Sequence, residues 1–131
     1  DLWRRGRVLA IRGDLKGERT LVDVAAFSRI SDLPVRVLYT SNAEYYFKFG
    51  DGRFRDNVVG LPFDERSVVL RTDPYSGNKY RYYEQGAEQF VAWLERGTAS
   101  NVARMARYRS PREEPDDFLL DKLPEQVGKA R

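Results

Sequence analysis

The chain lacks two residue types on which much enzyme chemistry depends: among its 131 residues there is no cysteine and no histidine. Without cysteine, a disulfide framework, a thiolate nucleophile and a cysteine-ligated metal are excluded within the chain. Without histidine, the chain lacks the side chain that titrates nearest neutral pH and the commonest metal ligand. Ser-His-Asp and Cys-His mechanisms are therefore excluded, and acid–base work would fall to Asp, Glu, Lys or Tyr. We predict no catalytic residue and no metal site.

Long apolar runs are also missing. No stretch approaches the roughly 18 residues that a membrane span needs, and no basic-then-apolar leader opens the chain. We therefore expect a soluble chain without a membrane span, with the compartment left open and the cytoplasm as the default expectation. The chain starts with Asp1 instead of Met, and a native start, a processed end and a fragment end all remain open.

Charge is distributed unevenly along the chain. The net charge is +3, but residues 110–131 contain four basic and six acidic residues, which leaves a body with a net charge of +5. A mildly basic body with an acidic end is more typical of a solubility pattern than of a nucleic-acid interface. We do not expect nucleic acid to be a partner.

The stretch that organises the chain is residues 35–47, an apolar run that leads into a polar, tyrosine-rich exit. Its β-branched and aromatic residues follow Pro34 and end at small polar residues, a pattern that predicts a buried strand. In open α/β sheets, ligands bind outside the carboxyl ends of strands. The exit Ser41-Asn42-Ala43-Glu44-Tyr45 is therefore where we expect a site.

The remaining pattern predicts an α/β domain over residues 1–109. A strand at 7–12, a helix at 21–31 and the strand from residue 35 are joined by short loops, which is the βαβ signature of a parallel sheet. The further elements expected are a helix at 53–60, a strand at 67–72, an antiparallel partner at 79–84, and helices at 87–96 and 101–108.

Residues 110–131 are predicted to form an extended, charged tail. Within it, the apolar residues Phe118, Leu119 and Leu120 form a short anchor, and we expect them to dock on the chain's own body or on a partner.

Three segments carry a resemblance to a known group of proteins: GDL at 13–15, VRVLYTSNAEYY at 35–46 and LPFDERSVVLRT at 61–72. Together with the order of elements, they resemble the last four strands of a Rossmann-like methyltransferase, and in particular an uncharacterised group of bacterial methyltransferase-like proteins. A strand ending Leu-Tyr-x-Ser-Asn-x-Glu-Gln-Tyr is characteristic of that group, and this chain has Glu44-Tyr45-Tyr46 at its end. The resemblance covers residues 5–96.

The resemblance implies a mainly parallel Rossmann-like sheet with a C-terminal antiparallel hairpin, equivalent to the second half of a methyltransferase-like domain. Such enzymes bind S-adenosylmethionine with the first half of the sheet, through a glycine-rich loop and an acidic residue. Neither feature precedes Arg7. The resemblance therefore implies no bound cofactor, and S-adenosylmethionine only if a missing N-terminal half supplies its site.

Five residues are candidates for substrate binding. Asp14 follows the first predicted strand and would accept a proton or bind an amine; alternatively, its carboxylate caps the amides of the loop at 13–17. Ser41, Asn42 and Glu44 would form a polar cluster for a small ligand, with Tyr45 as a stacking wall. Alternatively, Ser41 and Asn42 cap a turn and the tyrosine belongs to the core.

Two classes of function follow from these observations. The first is a non-catalytic interaction or structural subunit built on a degenerate methyltransferase-like half-fold, which would associate with a protein partner or with itself through an open sheet edge. The second is the C-terminal part of an S-adenosylmethionine-dependent methyltransferase-like enzyme. We favour the first, and an enzymatic activity of the chain as it stands is left open but not expected.

Overall fold

A computed structural model describes residues 1–77, 79–112 and 117–126 of the chain. Within these residues, the α-helices are α1 Thr20–Ile30, α2 Phe54–Val59, α3 Ala87–Arg96 and α4 Val102–Met105. The strands are β1 Val37–Ser41, β2 Val68–Ser76, β3 Lys79–Gly86, β4 Ser110–Pro111 and β5 Asp117–Leu119. Short 3₁₀ helices cover Ala43–Tyr46, Ala106–Tyr108 and Pro124–Gln126.

The five strands form one mixed sheet in the order β1-β2-β3-β5-β4. β1 runs parallel to β2 and β3 runs parallel to β5, whereas β2–β3 and β4–β5 are antiparallel pairs. The expected mainly parallel Rossmann-like sheet is therefore wrong. The antiparallel hairpin lies in the middle of the sheet, because a strand from the C-terminal segment adds to its outer side.

The predicted strand at residues 7–12 does not form. Val8, Leu9 and Ile11 are 47%, 85% and 62% exposed, and among the described residues no backbone hydrogen bond reaches positions 8–12. A strand exists only where a neighbouring strand takes up its amides and carbonyls. Without that neighbour the βαβ unit expected at the start of the chain is absent, although α1 forms where its periodicity predicts it.

The other elements of residues 35–96 form close to where the sequence places them. The antiparallel hairpin is confirmed: Val68 of β2 pairs with Gly86 of β3, and the ladder continues to Ser76 and Lys79. β2 extends beyond the predicted strand, since the pairing with β3 continues past Thr72.

The core lies between the helices and one face of the sheet, which we call the helix face. Apolar side chains of α2 and α3 are buried there: Phe54, Val58 and Phe90 are each 0% exposed. The rings of Phe54 and Phe90 lie 6.5 Å apart, α2 packs against α3, and α3 packs onto β2 and β3. Full burial of large apolar side chains at this face provides the main stabilisation of the domain.

The described parts of residues 110–131 belong to this sheet and do not stand apart as an extended tail. β5 pairs with β3, the ring of Phe118 stacks on Tyr83 at 5.6 Å, and Leu120 is only 2% exposed. The indole Nε1 of Trp93 donates to the carbonyl of Lys122 at 2.9 Å. Of the two docking possibilities for the anchor Phe118, Leu119 and Leu120, the structure shows docking on the chain's own body.

The end of α3 provides a test of local backbone requirements. Gly97 has a φ of 62°, and its N–H donates to the carbonyls of Trp93 and Leu94; an added Cβ would meet nothing within 4 Å. We expect Gly97→Ala to lower the free energy of unfolding by about 1–2 kcal/mol, the cost of the left-handed conformation alone.

Gly50→Ala is the matched control for denaturant unfolding, because its Cβ is equally free and its φ is not in the left-handed region. We expect it to be neutral or slightly stabilising. Equal losses of stability in the two variants would contradict this explanation.

Candidate functional site

Glu44 lies at the exit of β1, but its carboxylate points inward. The Nε of Arg71 donates to Glu44 Oε2 at 2.5 Å, and the two side chains are 0% and 1% exposed. The hydroxyl of Thr40 donates to the same oxygen at 3.1 Å, and Arg71 Nη2 lies 3.5 Å from Oε1. Both carboxylate oxygens are engaged within the protein, so the predicted ligand contact of Glu44 is not available in this arrangement.

Arg71 extends this ion pair into a network. Its Nη1 donates to Gln85 Oε1 at 2.9 Å, and its guanidinium carbon lies 4.5 Å from the centre of the Phe90 ring. Gln85 in turn donates to the sulfur of Met105 at 3.6 Å. The network therefore connects the exit of β1 to β2, β3, α3 and α4.

Ser41 and Asn42 form the turn that leads from β1 to the 3₁₀ helix. Ser41 has a φ of 52°, and its hydroxyl lies 3.3 Å from the hydroxyl of Thr72. Asn42 precedes the 3₁₀ helix, and its carbonyl accepts from the N–H of Tyr45 at 3.2 Å. Both side chains are partly buried. These contacts agree with the turn interpretation, while a ligand role for the two residues stays a prediction.

Tyr45 carries a buried hydroxyl that forms no hydrogen bond within the described structure. Burial is the main reason why the pKa of Tyr45 lies above its ordinary value of 10.0, and the nearby Asp73 carboxylate raises it further. Burial and Asp73 likewise raise the pKa of Tyr83. The ring of Tyr45 is partly buried and packs against the core, in agreement with the alternative interpretation, and its neutral phenol lies near the Asp73 carboxylate.

Asp14 is exposed and lies in the loop at residues 13–17. Its Oδ1 accepts from the N–H of Lys16 at 2.8 Å, and its own N–H donates to the hydroxyl of Thr20 at 3.1 Å. The side chain of Asn57 holds the loop by donating to the carbonyls of Leu15 and Gly17. Asp14 thus caps the loop, and the parallel strands that were expected to bring it to the exit of β1 are not present.

A groove that sequence reasoning missed lies on the face of the sheet opposite the helices. Side chains alternate between faces along a strand; since Arg71 and Tyr83 point to the helix face, their neighbours Leu70, Tyr82 and Glu84 point to the other side. We call that side the bare face, because its residues Val37, Tyr39, Tyr80 and Tyr82 are 45% to 60% exposed.

The groove on the bare face has a volume of about 430 Å³. Tyr39, Leu70, Tyr82, Glu84, Arg112 and Asp117 contribute to its lining. We call it the tyrosine groove. The alternation of tyrosines at 80 and 82 was a signal for such a face, but no sequence pattern predicted that β5 would complete it.

Other kinds of site are not found in the described part of the chain. Residues 1–77, 79–112 and 117–126 hold no cluster of His, Cys, Asp or Glu that suits a metal ion. Every helix in these ranges is too short or too polar to cross a membrane.

A family model for a domain of unknown function, DUF7790, matches residues 1–120. The chain belongs to the DUF7790 family. Its description names no activity and does not mention methyl transfer. A search of curated proteins gave no match to the chain. The function of this family member therefore has to be argued from its surfaces and contacts.

The buried ion pair gives a prediction about stability. We expect Arg71→Met to lower the free energy of unfolding by about 3–5 kcal/mol, because Glu44 is left buried without its partner. The double variant Arg71→Met/Glu44→Gln should lose less free energy of unfolding than Arg71→Met alone, because it leaves no buried carboxylate without a partner. Arg96→Gln, which breaks the exposed pair between Arg96 and Glu125 at 3.2 Å, should change stability by less than about 1 kcal/mol.

Denaturant unfolding of these three variants measures the effect. If the double variant were less stable than Arg71→Met, the unpaired Glu44 carboxylate would not be the cause of the lost stability.

The buried phenol gives a prediction about pH dependence. Because the pKa of Tyr45 is raised in the folded state, the unfolded chain loses this proton first, and stability should fall as pH rises above about 10. Tyr45→Phe should reduce that fall. At pH 7 it should be neutral or stabilising by up to about 1 kcal/mol, because the removed hydroxyl has no partner.

Tyr46→Phe is the control for urea unfolding at pH 7 and pH 10.5, because Tyr46 is 80% exposed. A loss of 2 kcal/mol or more in Tyr45→Phe at pH 7 would show that the hydroxyl makes a favourable interaction.

Proposed function

We propose that this DUF7790 chain is a non-catalytic association module that pairs with another protein chain through the free edge of β1. The observation that carries this proposal is the position of β1 at the end of the sheet, where β2 is its one neighbour among the described strands. A strand in that position presents a row of N–H and C=O groups that can pair with an added strand.

The free edge has few of the features that prevent such pairing. Val37–Ser41 contains no charged residue and no proline, although natural edge strands are commonly protected by one of these. A register shift between Tyr39 and Ser41 limits the regular stretch to the first residues of the strand. Val37 and Tyr39 are 53% and 60% exposed beside this edge.

Helix α1 and the loop that connects it to β1 also expose apolar residues. α1 packs against α2, and its residues Phe27 and Ile30 are 69% and 87% exposed. Leu33, in the loop between α1 and β1, is 62% exposed. Several exposed apolar residues on adjoining elements are typical of a surface that another protein covers.

A second copy of the chain is the partner that fits this edge most simply. Two β1 strands can pair antiparallel about a two-fold axis, the commonest symmetry of protein dimers. Since the strand carries no charge, this pairing brings no like charges opposite each other. The pairing would join two five-stranded sheets into one and place each Val37 beside the partner chain.

Sedimentation velocity over a concentration series tests the proposal. We expect reversible dimers at tens of micromolar, and dimerisation at least about tenfold weaker in Ile30→Lys/Val37→Lys, because the added charges meet their own copies at the interface. Tyr80→Lys is the control, since Tyr80 is exposed on the bare face but lies on β3, away from the edge.

A chain that remains monomeric up to several hundred micromolar would overturn the second-copy form of the proposal. Calorimetric titration of the chain with S-adenosylmethionine tests the non-catalytic assignment, and binding of this cofactor by the chain alone would overturn it.

A further inference from the structure

The tyrosine groove is built by the register of three neighbouring strands. Tyr39 of β1 pairs with Leu70 of β2, and Leu70 pairs with Glu84 of β3. In the next row, Tyr82 of β3 pairs with Asp117 of β5. The register therefore places Leu70 as an apolar floor between Tyr39 and Tyr82. The carboxylates of Glu84 on β3 and Asp117 on β5 lie further from the edge of β1.

The exposed groups of the groove suit a cation. Tyr39 and Tyr82 are 60% and 55% exposed, and the faces of such rings attract cations. Among the described residues, the carboxylate of Asp117 has no cationic side chain within salt-bridge distance. Aromatic faces beside carboxylates provide both a stacking surface and a charge partner for a positively charged group.

The protein already places one guanidinium in this groove. Nη1 of Arg112 lies 2.5 Å from Oε2 of Glu84, and the two side chains are 42% and 38% exposed. The backbone N–H of Arg112 donates to the carbonyl of Asp117 at 3.0 Å. The groove thus already accommodates a guanidinium group by charge pairing with one of its carboxylates.

We propose that the tyrosine groove binds the guanidinium of an arginine side chain on a partner polypeptide. The incoming guanidinium stacks on the exposed ring of Tyr82 and pairs with Asp117, its cross-strand neighbour, and it competes with Arg112 for Glu84. Arginine fits this groove better than lysine, because its guanidinium is planar, is weakly hydrated and offers a fork of donors to carboxylates. The groove does not depend on dimerisation through β1, so this proposal stands apart from the proposed function.

Titration of the ¹⁵N-labelled protein with short blocked peptides tests the proposal. The probe is acetyl-Gly-Arg-Gly-amide, and its neutral isostere acetyl-Gly-citrulline-Gly-amide has almost the same shape without the charge. We expect the arginine peptide to bind with a Kd of about 0.1–1 mM and to shift the amide signals of Tyr82, Glu84 and Asp117. The citrulline peptide and the corresponding lysine peptide, acetyl-Gly-Lys-Gly-amide, should bind at least about fivefold more weakly than the arginine peptide.

Two variants of the groove should act in opposite directions. Asp117→Asn should weaken binding of the arginine peptide by about fivefold, because it removes the available carboxylate. Arg112→Gln should strengthen binding by about threefold or more, because it frees Glu84 from its internal partner. Arg96→Gln removes a comparable arginine from its exposed pair with Glu125, and it should leave the affinity unchanged.

The proposal is overturned if the arginine and citrulline peptides bind equally, or if the shifted amides lie outside the groove. Weaker binding in Arg112→Gln would also overturn it, since Arg112 would then help to build the site instead of competing for it. The titration is repeated with the Ile30→Lys/Val37→Lys variant, which is expected to dimerise weakly. Unchanged peptide affinity in that variant would show that the groove binds independently of dimerisation.

Discussion

The buried pair of Arg71 and Glu44 is the interaction on which the arrangement of this domain depends. A guanidinium and a carboxylate without access to water carry a large desolvation cost, which only close mutual contact and further hydrogen bonds can offset. Arg71 meets this requirement through Glu44, Gln85 and the ring of Phe90. The exit of β1, the central hairpin and α3 therefore have to adopt one relative position, and this is a specificity that apolar packing alone would not impose.

The same inward orientation explains why the exit of β1 offers so little to a ligand. Its carboxylate is used by Arg71, the hydroxyl of Ser41 lies beside Thr72, and the phenol of Tyr45 is buried. With no histidine or cysteine in the chain, imidazole and thiol chemistry are also excluded at this end of the sheet. The surface that remains available is the opposite one, where β1 has a free edge and the bare face exposes tyrosines.

In the described part of this DUF7790 chain, the helices cover one side of the sheet and leave the other side exposed. The helices and the C-terminal residues up to Leu120 complete the core on the helix face, while Tyr39 and Tyr82 stay exposed on the other. The free edge provides backbone groups for pairing, and the tyrosine groove provides rings and carboxylates. Both features lie on the same sheet and belong to surface that the described helices leave exposed.

The sequence by itself determined helices α1 to α3 and the hairpin, because periodicity and turn residues act over short distances. Its prediction of a buried strand from residue 35 was wrong, since β1 lies at the end of the sheet with Val37 and Tyr39 53% and 60% exposed. It excluded thiol, imidazole and ordinary zinc chemistry by composition alone. Only the tertiary structure decided that residues 7–12 find no strand partner, that β5 joins β3, and that Glu44 turns inward to Arg71. Strand pairing and charge burial depend on residues far apart in the chain, and no local pattern contains that information.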